Sequence, residues 1–259
     1  MSVVILKIGG SVITEKDSDI PERVKQDAID RISQEIAAFK SESEVKDSLI
    51  LVHGAGSFGH PQAMKYRLNE AFNAEGAYLT HVSVKKLNSI VLESLNHAGV
   101  RALPVHPLSS CLLENGKLVN LEFSPVKVML EKGIVPVFHG DVVMDRDKGV
   151  GILSGDKLVP HLASLVGAEK IGVGSDVEGV IDEKGAVIKK ITPLSFVDVK
   201  QSIKGSNSID VTGGMFGKVI ELLELSKKGI SSRIFNASRK GMVSRFLYGE
   251  EVGTLICDK

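Results

Sequence analysis

A lysine interrupts an otherwise apolar run, Val3-Val4-Ile5-Leu6-Lys7-Ile8, and two glycines follow in Gly9-Gly10-Ser11. A charge inside a buried strand has to reach water or meet an anion. Paired glycines at a strand end let the chain turn while bare backbone N–H groups approach phosphate oxygens. The spacing is not that of the common phosphate-binding loop, because the second glycine is not followed by Lys-Ser/Thr. A Gly-Gly pair is also an ordinary turn, so Lys7 carries more of the weight. A second group follows Leu51-Val52-His53: the run Gly54-Ala55-Gly56-Ser57-Phe58-Gly59-His60 reads as a glycine-rich turn at the carboxyl end of another strand, where open α/β sheets bind ligands. His60 can donate a hydrogen bond to an anion, or simply cap a local carbonyl. A third group is Asp210-Val211-Thr212-Gly213-Gly214-Met215-Phe216-Gly217-Lys218. Here a glycine-rich turn enters a helix whose N–H groups and dipole attract an anion. Lys218 in its first turn opposes that dipole; the misfit points to a bound phosphate, against the plain alternative of a solvated lysine.

The elements that must hold these residues are legible as alternating patterns. Short β-branched runs (3–8, 49–53, 102–105, 134–138, 170–173, 232–236 and 253–257) alternate with helix-period segments. That predicts an α/β fold: an open, mostly parallel sheet sandwiched between helices, with β-hairpins near the active site. Val24, Ala28, Ile32 and Ile36 predict a helix over 21–40, and Val84, Leu87, Val91 and Leu95 another that stops at Gly99. Ser124-Pro125 reads as an N-cap with a first-turn proline. Ser154-Gly155-Asp156 begins a helix to about Val166, and Phe216 to Lys228 forms a later one. Hairpins are expected over 142–153 and 178–191, turning at Asp145–Gly149 and at Glu183-Lys184-Gly185. We expect one domain over 1–259, with an acceptor-binding lobe over 1–166 and a nucleotide-binding lobe over 167–259.

The chain has 259 residues, 43% hydrophobic and 25% charged, with Lys plus Arg equal to Asp plus Glu at 32 each. No global field draws it to nucleic acid or an anionic membrane, so any anion site must be local. Cys111 and Cys257 form neither a disulfide framework nor a metal-ligand spacing. No apolar stretch reaches membrane length, and the run after Met1 is too short for a signal segment. The expectation is a soluble, cytoplasmic protein that binds neither nucleic acid nor membrane.

Taken in order and spacing, Lys7-Ile8-Gly9-Gly10-Ser11, His53-Gly54-Ala55-Gly56, Ser154-Gly155-Asp156, Ser175-Asp176-Val177-Glu178-Gly179-Val180 and Thr212-Gly213-Gly214-Met215 resemble the amino-acid kinase family over nearly the whole chain. More narrowly, Gly56-Ser57-Phe58-Gly59-His60, with Lys7 to Thr14 and Lys16, resembles the members that phosphorylate isopentenyl phosphate. The resemblance implies ATP with Mg²⁺, a small phosphorylated acceptor and a homodimer. By position it implies that Lys7 and Lys218 bind the transferring phosphoryl group and the ATP phosphates, and that Lys16 stabilises the transition state. His60 would hold the acceptor's existing phosphate with Gly10, Ala55, Gly56 and Gly155. Asp156 would orient the lysines, and Gly9, Gly10, Gly56, Asp176 and Gly214 would line the nucleotide site. Ala55 stands where many relatives have glycine. No metal-ligating side chain is implied.

A phosphate monoester has its second pKa at roughly 6 and is a dianion near neutrality, so such an acceptor needs no general base. The obstacle is electrostatic, and positioned cations and N–H dipoles meet it. An apolar acceptor tail would lie beyond His60, with Phe72, Tyr78, Val82 and Ile90 as candidate lining; each is equally readable as core. Two other readings stay open. One is a kinase of the same family for another small acid, such as fosfomycin or an amino-acid carboxylate. The other is a non-catalytic nucleotide- or metabolite-binding protein, against which Lys7, Lys16, Asp156 and Lys218 argue together.

Overall fold

In the computed structural model the described residues are 3–15, 22–42, 48–204 and 214–259. Their strands are β1 (Val3–Ile8), β2 (Ser48–His53), β3 (Ala102–Val105), β4 (Cys111–Glu114), β5 (Lys117–Leu121), β6 (Val135–His139), β7 (Asp141–Asp145), β8 (Gly149–Leu153), β9 (Lys170–Ser175), β10 (Lys190–Ile191), β11 (Ser232–Asn236) and β12 (Thr254–Ile256). Eight of them form one sheet in the order β10-β12-β11-β9-β1-β2-β6-β3, and β5-β4-β7-β8 form a smaller one. In the large sheet every pairing is parallel except β11 with β12.

Strand periodicity distributes the core. Val3 and Ile5 of β1 and Ile50 and Val52 of β2 pack with Leu158, Leu162, Val219 and Leu222, on the helices Gly155–Val166 and Gly214–Ser226. Val4, Leu6 and Ile8 point the other way, into a core with Ile32, Ile36, Leu87 and Val243. These belong to the helices Gln26–Ser41, Ala74–His97 and Met242–Leu247. Both faces are covered, which is why the central strands read as continuous apolar runs. Lys7 shares parity with Val3 and Ile5 and therefore faces the helix Gly155–Val166. From β1 the chain builds outward to β2 on one side, and β9 lies on the other. The topological switch point is thus at the carboxyl ends of β1 and β9, where this architecture leaves a crevice.

Several expectations are corrected. The helix expected over 21–40 begins at Gln26, because Val24 bridges Thr14 and the Lys25 amide donates to the Ile13 carbonyl at 2.9 Å. Ser124 is the first helical residue of Ser124–Glu131 and makes no side-chain cap; its amide instead donates to Glu122 Oε1 at 3.0 Å. The hairpin expected over 178–191 is shorter: it turns at Glu183-Lys184-Gly185 around the bridge Ile181–Val187, with the Asp182 amide donating to Ala186 at 2.9 Å and the Ile188 amide to Val180 at 2.8 Å, whereas Lys190 and Ile191 pair with β12 in the large sheet. The hairpin β7–β8 forms as expected. The strands β4 and β5 and the helices Pro107–Ser110, Pro193–Lys204 and Met242–Leu247 were not anticipated; they are short, or lack a clean period. No described helix is long and apolar enough to cross a membrane.

Candidate active site

The carboxyl ends of the central strands are tied into one floor. The Gly9 amide donates to the Gly174 carbonyl at 2.8 Å, Gly54 to Ile8 at 2.9 Å and Gly140 to His53 at 2.9 Å. Each residue just past a strand thus extends the ladder by one bond, which brings four turns side by side. The turns pack backbone against backbone. A Cβ added to Gly10 would lie 2.5 Å from Gly56 Cα, and one on Gly54 would lie 2.5 Å from Gly10 N. The glycines at these positions are therefore required first by each other.

The expected turn over 54–60 is shorter than predicted: the chain is already helical from Gly56 to Lys65. Ala55 offers no side-chain oxygen to cap that helix. Thr14 supplies one from the neighbouring loop. Its buried Oγ1 accepts the Ser57 amide at 3.1 Å and donates to the Gly10 carbonyl at 2.9 Å. Gly56 adopts φ +52° directly against it.

Lys7 is 4% exposed, and its Nζ lies 2.9 Å from Asp156 Oδ1. Asp156 Oδ2 lies 3.7 Å from Lys218 Nζ. Asp156 occupies the first turn of the helix Gly155–Val166, whose N-cap Ser154 accepts the Lys157 amide. Gly155 is buried where a Cβ would stand 3.7 Å from Lys7 Cε and 3.6 Å from the His53 carbonyl. Lys218 is the fifth residue of the described helix Gly214–Ser226, not in its first turn, and its Nζ reaches back to the Gly214 carbonyl at 3.3 Å. Two cations on one carboxylate, beside helix N-termini, make a locally positive cluster in a chain with no net charge.

The structure therefore brings Lys7, Gly9, Gly10, Ala55, Gly56, Gly155, Asp156, Gly214 and Lys218 into one connected region. His60 is exposed on the helix that begins at Gly56, and Asp176 is exposed just past β9. Lys16 and residues 210–213 lie outside the described residues. Of the tail candidates, Phe72, Tyr78 and Val82 are exposed, whereas Ile90 packs against the core. A surface cavity of about 440 Å³, lined by Glu178, Arg239 and Arg245 among others, holds none of these site residues.

Sequence reasoning passed over Thr14 and Gly140. A Cβ on Gly140 would lie 3.4 Å from the Ala55 amide nitrogen and 3.6 Å from that of Gly155. The available signal was a repeated dipeptide, His53-Gly54 and His139-Gly140, each closing a buried strand.

The amino acid kinase family model matches residues 2–236. The chain is 39% identical to isopentenyl phosphate kinase of Methanothermobacter thermautotrophicus, over 99% of this chain and 100% of that one. It is 41% identical to isopentenyl phosphate kinase of Haloferax volcanii, over 99% of each. A crystal structure of an isopentenyl phosphate kinase superposes with a TM-score of 0.83 at 37% identity, covering 98% of this chain and 100% of the other.

Proposed function

The chain belongs to the amino acid kinase family, and from that premise we propose that it phosphorylates isopentenyl phosphate with ATP, giving isopentenyl diphosphate and ADP. The observation that carries this reading is the Lys7–Asp156–Lys218 cluster, set among helix N-termini at the switch point of the sheet. Near-full-length identity to isopentenyl phosphate kinases supports the choice of acceptor.

The acceptor enters as a phosphate dianion above roughly pH 6, so its own oxygen is the nucleophile and no side chain need remove a proton. Catalysis then consists of bringing two polyanions into line and neutralising charge on the moving phosphoryl group. Lys7 and Lys218 contact that group and the ATP phosphates, and Asp156 fixes both lysines. Lys16 adds a third cation. His60 holds the acceptor's existing phosphate together with backbone at Gly10, Ala55, Gly56 and Gly155. Gly9, Gly10, Gly56, Asp176 and Gly214 line the nucleotide site. Among the described residues no group of three or more His, Cys, Asp or Glu side chains is arranged to hold a metal. Mg²⁺ would arrive with the nucleotide and would offset the charge of its phosphates. The acceptor lobe is residues 1–166 and the nucleotide lobe 167–259, and the working form is a cytoplasmic homodimer.

Steady-state turnover across isopentenyl phosphate, dimethylallyl phosphate, fosfomycin, glutamate and carbamate tests the reading. Isopentenyl phosphate gives the highest kcat/KM. Dimethylallyl phosphate, of the same carbon count, falls within about two hundred-fold of it, because apolar pockets discriminate weakly. A higher kcat/KM for fosfomycin, glutamate or carbamate overturns it.

A further inference from the structure

Behind the acceptor cradle lies a buried set of histidines that the phosphoryl-transfer chemistry does not use. His53 and His139 are register partners on the adjacent parallel strands β2 and β6. They are 1% and 0% exposed, and their rings stack with centroids 5.6 Å apart. Each bonds the glycine that follows it. His53 Nδ1 is 3.0 Å from the Gly54 carbonyl, and His139 Nδ1 is 3.1 Å from the Gly140 carbonyl. A carbonyl only accepts, so Nδ1 carries the proton in both rings and, in the neutral ring, Nε2 is left as an acceptor. The surroundings meet that requirement from behind. Asn88 Nδ2, fully buried on the helix Ala74–His97, donates to His53 Nε2 at 3.0 Å. His106 Nδ1 lies 2.9 Å from His139 Nε2 and, as Nδ1–H, donates to it. Alongside, the buried Asp141 carboxylate accepts from His81 Nδ1 and the Val142 amide, each at 2.9 Å, and from the Leu108 amide at 3.4 Å.

We propose that His53 and His139 are positioning residues, each locked as the neutral Nδ1–H tautomer so that it clamps the strand-end glycine on which the acceptor-phosphate cradle is built. Gly54 packs on Gly10, and Gly140 abuts the amides of Ala55 and Gly155. A rotation of either glycine's peptide re-aims donors that must converge on one phosphate. Asn88 and His106 complement the tautomer that the glycine carbonyls select, the Asn88 amide nitrogen and the His106 Nδ1–H each meeting an Nε2 acceptor. Burial supports the neutral form, pushing His53 down to about 4 and His139 down to about 3. That holds despite Asp141 Oδ2 lying 3.9 Å from His139 Nδ1; His81 and Lys85 face His106, not the clamps.

The proposal rests on the acceptor assignment above only for its kinetic readout, so the test has two arms. In the first, imidazole ¹⁵N shifts of the wild-type protein at pH 7 report the tautomer directly. Both rings are expected as neutral Nδ1–H, the form less populated in free histidine; Nε2–H or imidazolium at either ring overturns the proposal. In the second, His139→Asn keeps a donor near the Nδ1 position and His139→Gln places its amide near Nε2 instead. His139→Gln is expected to raise the acceptor KM about ten-fold, the scale of one positioned hydrogen bond. The ATP KM stays within about two-fold, and His139→Asn retains most of the wild-type acceptor affinity. Equal impairment of both variants, or parallel loss of ATP affinity, overturns the proposal. If wild-type protein does not turn over isopentenyl phosphate, the functional reading fails and the ¹⁵N arm alone decides the clamp, as it also does if a variant fails to fold.

Discussion

Asp156 presents one carboxylate oxygen to Lys7, at 2.9 Å, and the other to Lys218, at 3.7 Å. One residue therefore sets the spacing of two cations that come from opposite ends of the sequence. Neither lysine could be aimed by its own element alone: Lys7 leaves a strand and Lys218 leaves a helix. Asp156 itself sits where a helix N-terminus favours a negative charge.

Asp156→Asn keeps the shape and removes that charge. Lys7 and Lys218 then lose the carboxylate charge that lies between them, and the in-line geometry is lost. We expect kcat to fall about a hundred-fold, within the range for a misplaced transition-state donor, with both KM values much less affected. Lys7→Met and Lys218→Met should each cost at least as much. Steady-state kinetics at saturating ATP checks this; unchanged kcat in Asp156→Asn refutes the arrangement.

His60→Ala should separate the two substrates. His60 is exposed on the helix Gly56–Lys65, and its proposed contact is with the acceptor alone. The expected result is an acceptor KM raised roughly ten-fold or more, the worth of a hydrogen bond to a charged group, at an unchanged ATP KM. Steady-state kinetics with each substrate varied in turn measures both. Equal losses would remove His60 from its role.

Thr14 Oγ1 staples the two glycine loops together. Thr14→Val is nearly isosteric but leaves the Ser57 amide and the Gly10 carbonyl without that partner. The cost expected is about 1–3 kcal/mol of stability, read by denaturant unfolding, with Thr14→Ser largely restoring it. Gly10→Ala should be worse, since its Cβ would lie 2.5 Å from Gly56 backbone. Gly167→Ala meets open space at φ +59° and pays only the left-handed strain of about 1–2 kcal/mol.

Acid sensitivity follows from the buried histidines. Burial holds His53 at about 4 and His139 at about 3 in the folded chain, against roughly 6.5 when unfolded. Between these values the unfolded state binds more protons, so stability rises with pH there. The contribution is complete above about pH 6.5 and is lost as pH falls towards 4 and then 3. Each ring supplies up to about 1.4 kcal/mol per pH unit in that window. Urea unfolding between pH 5 and 7, above the main carboxylate range, should show the slope, and His139→Asn should reduce it. A flat profile over that interval would contradict the burial of these rings as neutral groups.

Much of the fold was legible because its strands are buried on both faces and its main helices are amphipathic. Both patterns are local in the chain and follow from periodicity. Errors arose where a tertiary partner overrode the local pattern. Val24 left its expected helix to bridge Thr14, and Lys190-Ile191 left its expected hairpin to join β12. The glycine-rich turn after His53 became a helix at Gly56 because Thr14, forty-three residues away, caps it from outside.

The sequence by itself determined which groups could meet a phosphate: Lys7 in an apolar strand, glycines at strand ends, and Lys218 entering a helix. Residue type and one-dimensional spacing carry that much, since charge, donor count and backbone freedom belong to each residue alone. Only the tertiary structure decided that Asp156 would join Lys7 to Lys218, and that Gly10 would need Gly56. It alone paired His53 with His139 in register. Those relations depend on strand order and on which face each side chain takes in the assembled sheet, and no local segment of the chain contains that information.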